Sequence, residues 1–143
     1  MMYPVSFQWH HMRKMQLQPA QAVDHVGDDV LRLMEGPYAV TLMSDGEPIL
    51  ATGAVPMWED RGYLWACLSV GVNGYTFRRV HAWAKAFLAG LPFRRLEAAV
   101  DVNFEAGHRW VRALGFDCET PDTVMRAFRN GVDCKLYALV KGA

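Results

Sequence analysis

Long apolar runs are missing from this chain. No stretch approaches the roughly 18 residues that a membrane-crossing helix needs, so no span is expected. The first fifteen residues, MMYPVSFQWHHMRKM, hold no continuous apolar segment of the kind that marks a secretion leader. Cysteine is scarce. The three that occur, Cys67, Cys118 and Cys134, are odd in number and form no C-x-x-C, which argues against a disulfide framework or a zinc knuckle. A reducing, cytoplasmic compartment is expected. Charge of one sign is lacking too: fifteen basic and fifteen acidic side chains cancel. No basic stripe interleaved with stacking aromatics appears, so nucleic acid is not an expected partner. An anion would have to be gathered by a local cluster. Repeats and low-complexity linkers are also absent, and one domain spanning 1–143 is expected.

What is present is core. Hydrophobic residues make up 52% of 143. A chain of that length buries roughly two-thirds of the surface its unfolded form exposes. Residues 3–7 read as a short strand, 9–15 as one or two helical turns, and 28–34 as a helix ending at Gly36-Pro37. A meander follows, with strands over 38–43, 49–57 and 63–69 separated by turns at Asp45-Gly46 and 59–62. Pro56 should mark a frayed end or an edge. Residues 75–89 form a long helix with Phe77, Val80, Ala84, Phe87, Leu88 and Leu91 on one stripe. Strands over 124–128 and 135–140 flank Asn130-Gly131, a strong hairpin signal. The fold class expected is α/β (α+β): a mixed, mostly antiparallel sheet with helices on both faces and a C-terminal hairpin.

The most informative stretch is 95–116, RLEAAVDVNFEAGHRWVRALGF. It alternates apolar and polar through 102 and then takes up helical spacing. Asn103 can cap that helix, Glu105 suits its positive end, and Ala106, Trp110, Ala113 and Leu114 supply an apolar stripe. Gly115 is placed to end the helix in a left-handed conformation, with Phe116 folding back on the last turn.

The segment HRWVRALGF resembles the "RFYEKLGF"-type segment that closes the acetyl-CoA site of GNAT N-acetyltransferases, and the element order suits one such domain. The chain looks most like the small, divergent GNAT-like proteins of tailed phages. The resemblance implies acetyl-CoA as cosubstrate, no metal, and transfer of an acetyl group to an amine by direct attack on the thioester. It equally admits a non-catalytic, internal virion or accessory protein working through protein contacts, located in the host cytoplasm or the virion. A homo-oligomer is compatible with either.

The resemblance places the coenzyme pyrophosphate at the turn Ser69–Arg79, where helix-opening amides and a partial positive charge favour phosphate oxygens. The family pattern there is Q/R-x-x-G-x-G/A. Setting Gly74 at its last position leaves Val72 at the first glycine and Ser69 at the Q/R. Setting Gly74 at the first glycine leaves Gly71 and Thr76 at the other two positions. Gly71, Val72, Asn73, Gly74 and Tyr75 are the candidate amide donors. Arg78 and Arg79 are candidates for the 3′-phosphate, since guanidinium forks match phosphate geometry. Leu68, Ser69 and Val70 would offer a strand edge to the pantetheine arm, which in the family enters where two parallel neighbours splay apart. Phe104 and Trp110 would wall the thioester. An ordinary strand–helix turn, a solvated helix face and a core aromatic are the plain alternatives for these residues.

Acid–base groups are few. The tyrosine that many family members carry in the last helix aligns with Val111, and 63–69 holds no carboxylate. The candidates that remain are Glu97, Asp101 and His108, with Tyr137 beside them. His10-His11 would point apart on a helix and is not read as a metal pair. No G-x-S-x-G accompanies Ser69, so a hydrolase is discarded.

Overall fold

A computed structural model describes residues 1–24 and 26–142. Strand β1 is Met2–Ser6, and helices α1 and α2 are Trp9–Lys14 and Asp28–Leu33. The meander is β2 (Ala39–Ser44), β3 (Glu47–Trp58) and β4 (Arg61–Leu68). Helix α3 is Gly74–Gly90, β5 is Arg95–Asp101 and α4 is Glu105–Ala113. The chain closes with β6 (Asp117–Cys118), β7 (Met125–Arg129) and β8 (Val132–Val140). The strands hydrogen-bond in the order β1-β2-β3-β4-β5-β8-β6, with β7 also on β8. The β4–β5 pair is parallel, while β1–β2, β2–β3, β5–β8, β6–β8 and β7–β8 are antiparallel. The α/β class with a mixed, mostly antiparallel sheet is as expected from sequence. Two compact units share the elements: Met1–Val55 with Trp65–Ala86, and Pro56–Leu64 with Phe87–Ala143.

The first unit is built around Phe7, Met12, Met15, Leu31, Ala39, Ala51 and Cys67. Phe7 meets Trp65 edge-on, with ring centroids 4.9 Å apart. Asp45-Gly46 turns the β2–β3 hairpin with both residues at positive φ (51° and 81°), the pair of left-handed conformations that a tight hairpin demands. Arg13 ties the loop between α1 and α2 together by donating to the carbonyls of Val23 and Val26 and to Asp28. His11 is buried, and its Nδ1 accepts from the Thr41 hydroxyl (2.7 Å) and from the Gln8 N–H (3.2 Å). Nδ1 can accept both bonds only while it carries no proton. Burial first, then the charges of His10 and Lys14, push its pKa below the ordinary 6.5.

That depression fixes a sign. Above about pH 6.5 both folded and unfolded His11 are neutral and contribute no proton-linked term. Below it the unfolded chain binds a proton that folded His11 refuses, so stability falls as the solution is acidified. The urea midpoint is expected to drop between pH 7.5 and 5.5, and by less in His11→Gln. Equal drops in the two proteins would exclude His11 as the source.

The second unit packs α4 on β5 and β8. The β4–β5 ladder covers three pairs, Arg61↔Arg95 to Tyr63↔Glu97. On its other side β5 pairs with β8 along its whole length, from Arg95↔Val140 to Asp101↔Cys134. Gly115 ends α4 at φ 103°, and the Phe116 N–H reaches back to the Val111 carbonyl, as the glycine stop predicts. Two local expectations fail. The residue at the helix cap is Phe104 rather than Asn103, because the Asp101 carboxylate accepts from the Asn103 N–H (2.9 Å) and its carbonyl accepts from the Phe104 N–H, which delays the first turn. The inward face of α4 is also different: His108 and Val111 are buried, while Ala106 and Ala113 are exposed.

Candidate functional site

The β4–α3 junction lies wholly in the first unit. Gly71 takes φ 83°, a left-handed conformation open to glycine, and this swings the chain from the strand toward the helix. The Asn73 side chain caps α3 by accepting from the Thr76 N–H (2.8 Å), and the Asn73 carbonyl accepts from the Phe77 N–H (2.8 Å). Gly74 and Tyr75 therefore begin the helix at positions whose N–H groups have no intrahelical acceptor. Beside this turn lies a groove of about 420 Å³, lined by Ser69–Asn73 and Thr76 together with Lys14, Gln16, Ser44 and the start of β3, Glu47 included. Five of the predicted phosphate-turn and arm residues, Ser69, Val70, Gly71, Val72 and Asn73, are thus brought together. Leu68, Gly74, Tyr75, Arg78 and Arg79 do not line the groove, and Tyr75, Arg78 and Arg79 are exposed on the helix.

The strand edge differs from the expectation. Along β4, alternate residues turn their backbone groups to opposite sides. The Ser69 N–H bonds Ile49 of β3, and the Trp65 carbonyl accepts from Thr52 of β3. The opposite edge, which carries Ala66, Leu68 and Val70, is where an extended ligand could add. There the Val70 N–H donates to the Gln16 carbonyl (2.7 Å), Leu17 bridges Ser69, and the Gln21 amide donates to the Ala66 carbonyl (2.7 Å). Val70 is therefore not a free donor, because the chain's own residues 16–21 hold its edge. Sequence reasoning missed Lys14, Gln16 and Gln21. Nothing local ties residues near 16 to residues near 70.

The acid–base candidates lie in the second unit. Glu97 is buried between two guanidinium groups: Arg61 donates to both its oxygens (2.5 and 3.1 Å) and Arg95 to one (2.8 Å). Arg95 also holds Glu119 in a bidentate pair. The Arg61 hydrogen bonds, outweighing burial and helped by Arg95, keep the Glu97 carboxyl below the usual carboxylate range. A carboxylate so stabilised takes up a proton poorly, and a general base needs the opposite. Asp101 spends one oxygen on the Asn103 N–H. His108, a candidate base from the sequence, is buried. Its Nε2 donates to the Val102 carbonyl (3.2 Å), which can only accept, and its Nδ1 shares a hydrogen bond with the Tyr137 hydroxyl (2.7 Å). Tyr137 is itself 1% exposed, and burial raises its pKa. The pair braces α4 against β8. Phe104 lies over Gly107, Trp110 is half-buried, and Val111 is buried. Among the described residues no three His, Cys, Asp or Glu side chains gather as a metal site, and no helix is long and apolar enough to cross a membrane.

No family model matches the chain, and no curated protein matches it in sequence. Solved structures do. The ribosomal-protein-S18-alanine N-acetyltransferase from Escherichia coli superposes with a TM-score of 0.69 at 15% identity, over 98% of this chain and 94% of that one. Ard1 from Thermoplasma volcanium gives 0.72 at 9% identity, with 97% of each chain covered. RimL, a ribosomal L7/L12 alpha-N-protein acetyltransferase in complex with coenzyme A, gives 0.66 at 15%, over 97% of this chain and 93% of that one. The fold of this chain is that of the GNAT acetyltransferases.

Proposed function

We propose that the protein is an N-acetyltransferase of the GNAT type, with acetyl-CoA held at the β4–α3 junction. The observation that carries this reading is the groove at the opening of α3, with its left-handed Gly71, its capped first turn and Lys14 among its lining residues. Phosphate oxygens suit such a helix mouth. Solved structures of the same fold include enzymes that acetylate ribosomal proteins and one that holds coenzyme A. In this reading both compact units serve one catalytic domain, and residues 69–73, with the N–H groups that open α3 beside them, form the cosubstrate side.

Chemistry here asks little of side chains. The amine nitrogen attacks the thioester carbonyl carbon, the C–N bond forms, the C–S bond breaks, and the thiolate leaves with the proton the amine gives up. Positioning supplies much of the rate gain. Glu97 and His108 are committed to Arg61, Arg95, Val102 and Tyr137, so the reading assigns no base among them, and the amine must arrive neutral from solvent. Two results are expected. Calorimetric titration gives a micromolar Kd for acetyl-CoA, and no heat at millimolar ligand would overturn the assignment. With a peptide α-amine as acceptor, kcat/KM rises with pH up to about 8, the α-amino pKa. A plateau reached below pH 7 would instead require a base within the protein.

The Val70–Gln16 bond favours a second reading: a protein of GNAT fold that no longer binds the coenzyme and acts through protein contacts. Absence of any acetyl-CoA-induced rise in melting temperature at 1,000 times a micromolar Kd, where about 4 kcal/mol of stabilisation is due, would select it.

A further inference from the structure

Residues 16–21 hold β4 in a manner that bears on how the groove is used. Helix α1 stops at Lys14, and Met15 turns to extended backbone (φ −86°, ψ 142°). The Gln16 carbonyl then accepts the Val70 N–H, Leu17 bridges Ser69 antiparallel, and after the single turn of 3-10 helix Pro19–Gln21 the Gln21 side chain reaches the Ala66 carbonyl. Both attachments fall on the β4 edge away from β3. Backbone donors and acceptors on one strand edge can serve only one extended partner at a time. The start of the segment borders a cavity of about 240 Å³, lined by Met12, Met15, Leu17 and Val23 among others, and Gln16 lines both this cavity and the groove at α3. The segment is thus bonded toward β4 through Gln16, Leu17 and Gln21, and Leu17 also packs against the core of the first unit.

We propose that residues 16–21 form a displaceable strap that occupies the β4 edge in the absence of ligand, so that an acyl-coenzyme A with an extended amide-bearing arm gains that edge only by lifting the strap. The inference rests on the cosubstrate site proposed above. A ligand that uses only the helix mouth has no need to lift the strap, whereas one with a full arm does. The affinity of the full cosubstrate is therefore reduced by the fraction of molecules whose strap is down.

The test compares acetyl-CoA with adenosine 3′,5′-bisphosphate bearing a second 5′-phosphate, the nucleotide end without the arm, by calorimetry on wild type, Gln21→Ala and Leu17→Gly. Gln21→Ala removes the side-chain bond to Ala66, and Leu17→Gly loosens the bridge. Loss of one such bond is expected to tighten acetyl-CoA about three- to tenfold while leaving the armless nucleotide unchanged. Hydrogen exchange at Gln21 and Ala22, whose amides bond Gln18 and Pro19, should quicken when acetyl-CoA binds. If acetyl-CoA binds all three proteins equally, the strap is refuted and the site stands. If Gln21→Ala weakens acetyl-CoA, the segment belongs to the ligand's own contacts and the proposal fails. If neither ligand binds any of the three, the cosubstrate site itself is wrong and the strap falls with it.

Discussion

Gly107→Val is expected to lower the stability of the protein by about 3 kcal/mol, with a fall in Tm of roughly 10 °C. A Cβ at residue 107 would lie 2.5 Å from Phe104 Cδ2 and 2.9 Å from both Phe104 Cε2 and Val100 Cγ1. One neighbour is a ring at the start of α4 and the other a side chain of β5, so relief on one side does not relieve the other. Glycine in a helix interior ordinarily costs about 1 kcal/mol against alanine, which makes its presence there informative. It lets α4 approach β5 closely enough for His108 to reach both the Tyr137 hydroxyl and the Val102 carbonyl. Lifting the helix would stretch those bonds and leave buried polar atoms unpaired, at about 1–3 kcal/mol each. Gly107→Ala should lie between the wild type and the valine variant, since it keeps the clash but regains helix propensity. Thermal unfolding of the three proteins checks the order. A valine variant within 1 °C of wild type would mean that Phe104 swings out freely and that the close approach is incidental.

The same helix shows where sequence reading stops. Its end was legible, because Gly115 in a left-handed conformation is a local necessity written in one residue. The hairpins at Asp45-Gly46 and Asn130-Gly131 were legible for the same reason, and all four residues sit at positive φ. The face of α4 was not. Counting apolar residues turned Ala106 and Ala113 inward, whereas the structure buries His108, whose polarity is offset by a tyrosine 29 residues away. A partner so distant leaves no trace in local periodicity. The Asn103 cap failed through a competitor two residues upstream, the Asp101 side chain. At the candidate site the glycine-bearing turn was readable from Ser69–Tyr75, but Lys14, the Gln16 carbonyl and Gln21 were not. Backbone pairing between residues near 16 and near 70 depends on tertiary arrangement and not on which side chains occur there. Glu97 illustrates a further limit. Alternation placed it on the polar face of β5, yet it is buried because Arg61 and Arg95 compensate its charge.

Gly74→Val is expected to weaken acetyl-CoA binding by at least tenfold while leaving the fold intact. A Cβ at Gly74 meets nothing within 4 Å, and no positive φ is required there, so the substitution adds no internal clash. Valine is also no worse a helix former than glycine, which keeps the stability change within a few tenths of a kcal/mol. The new methyl groups instead stand at the first helical position, where phosphate oxygens would approach the backbone. Hydrogen bonds to a charged group are worth about 1.5–3 kcal/mol, so losing one corresponds to roughly ten- to a hundredfold in Kd. Gly90→Val is the matched control, since its Cβ also meets nothing within 4 Å and it lies at the opposite end of the same helix. It should bind as wild type does. Calorimetry on the pair separates two causes of any loss: a general disturbance of α3 weakens both variants, and obstruction of the helix mouth weakens only the first. Should Gly74→Val bind acetyl-CoA as tightly as wild type, the pyrophosphate does not rest on the opening turn of α3. The groove beside Ser69–Asn73 would then have to be read as the seat of a different ligand.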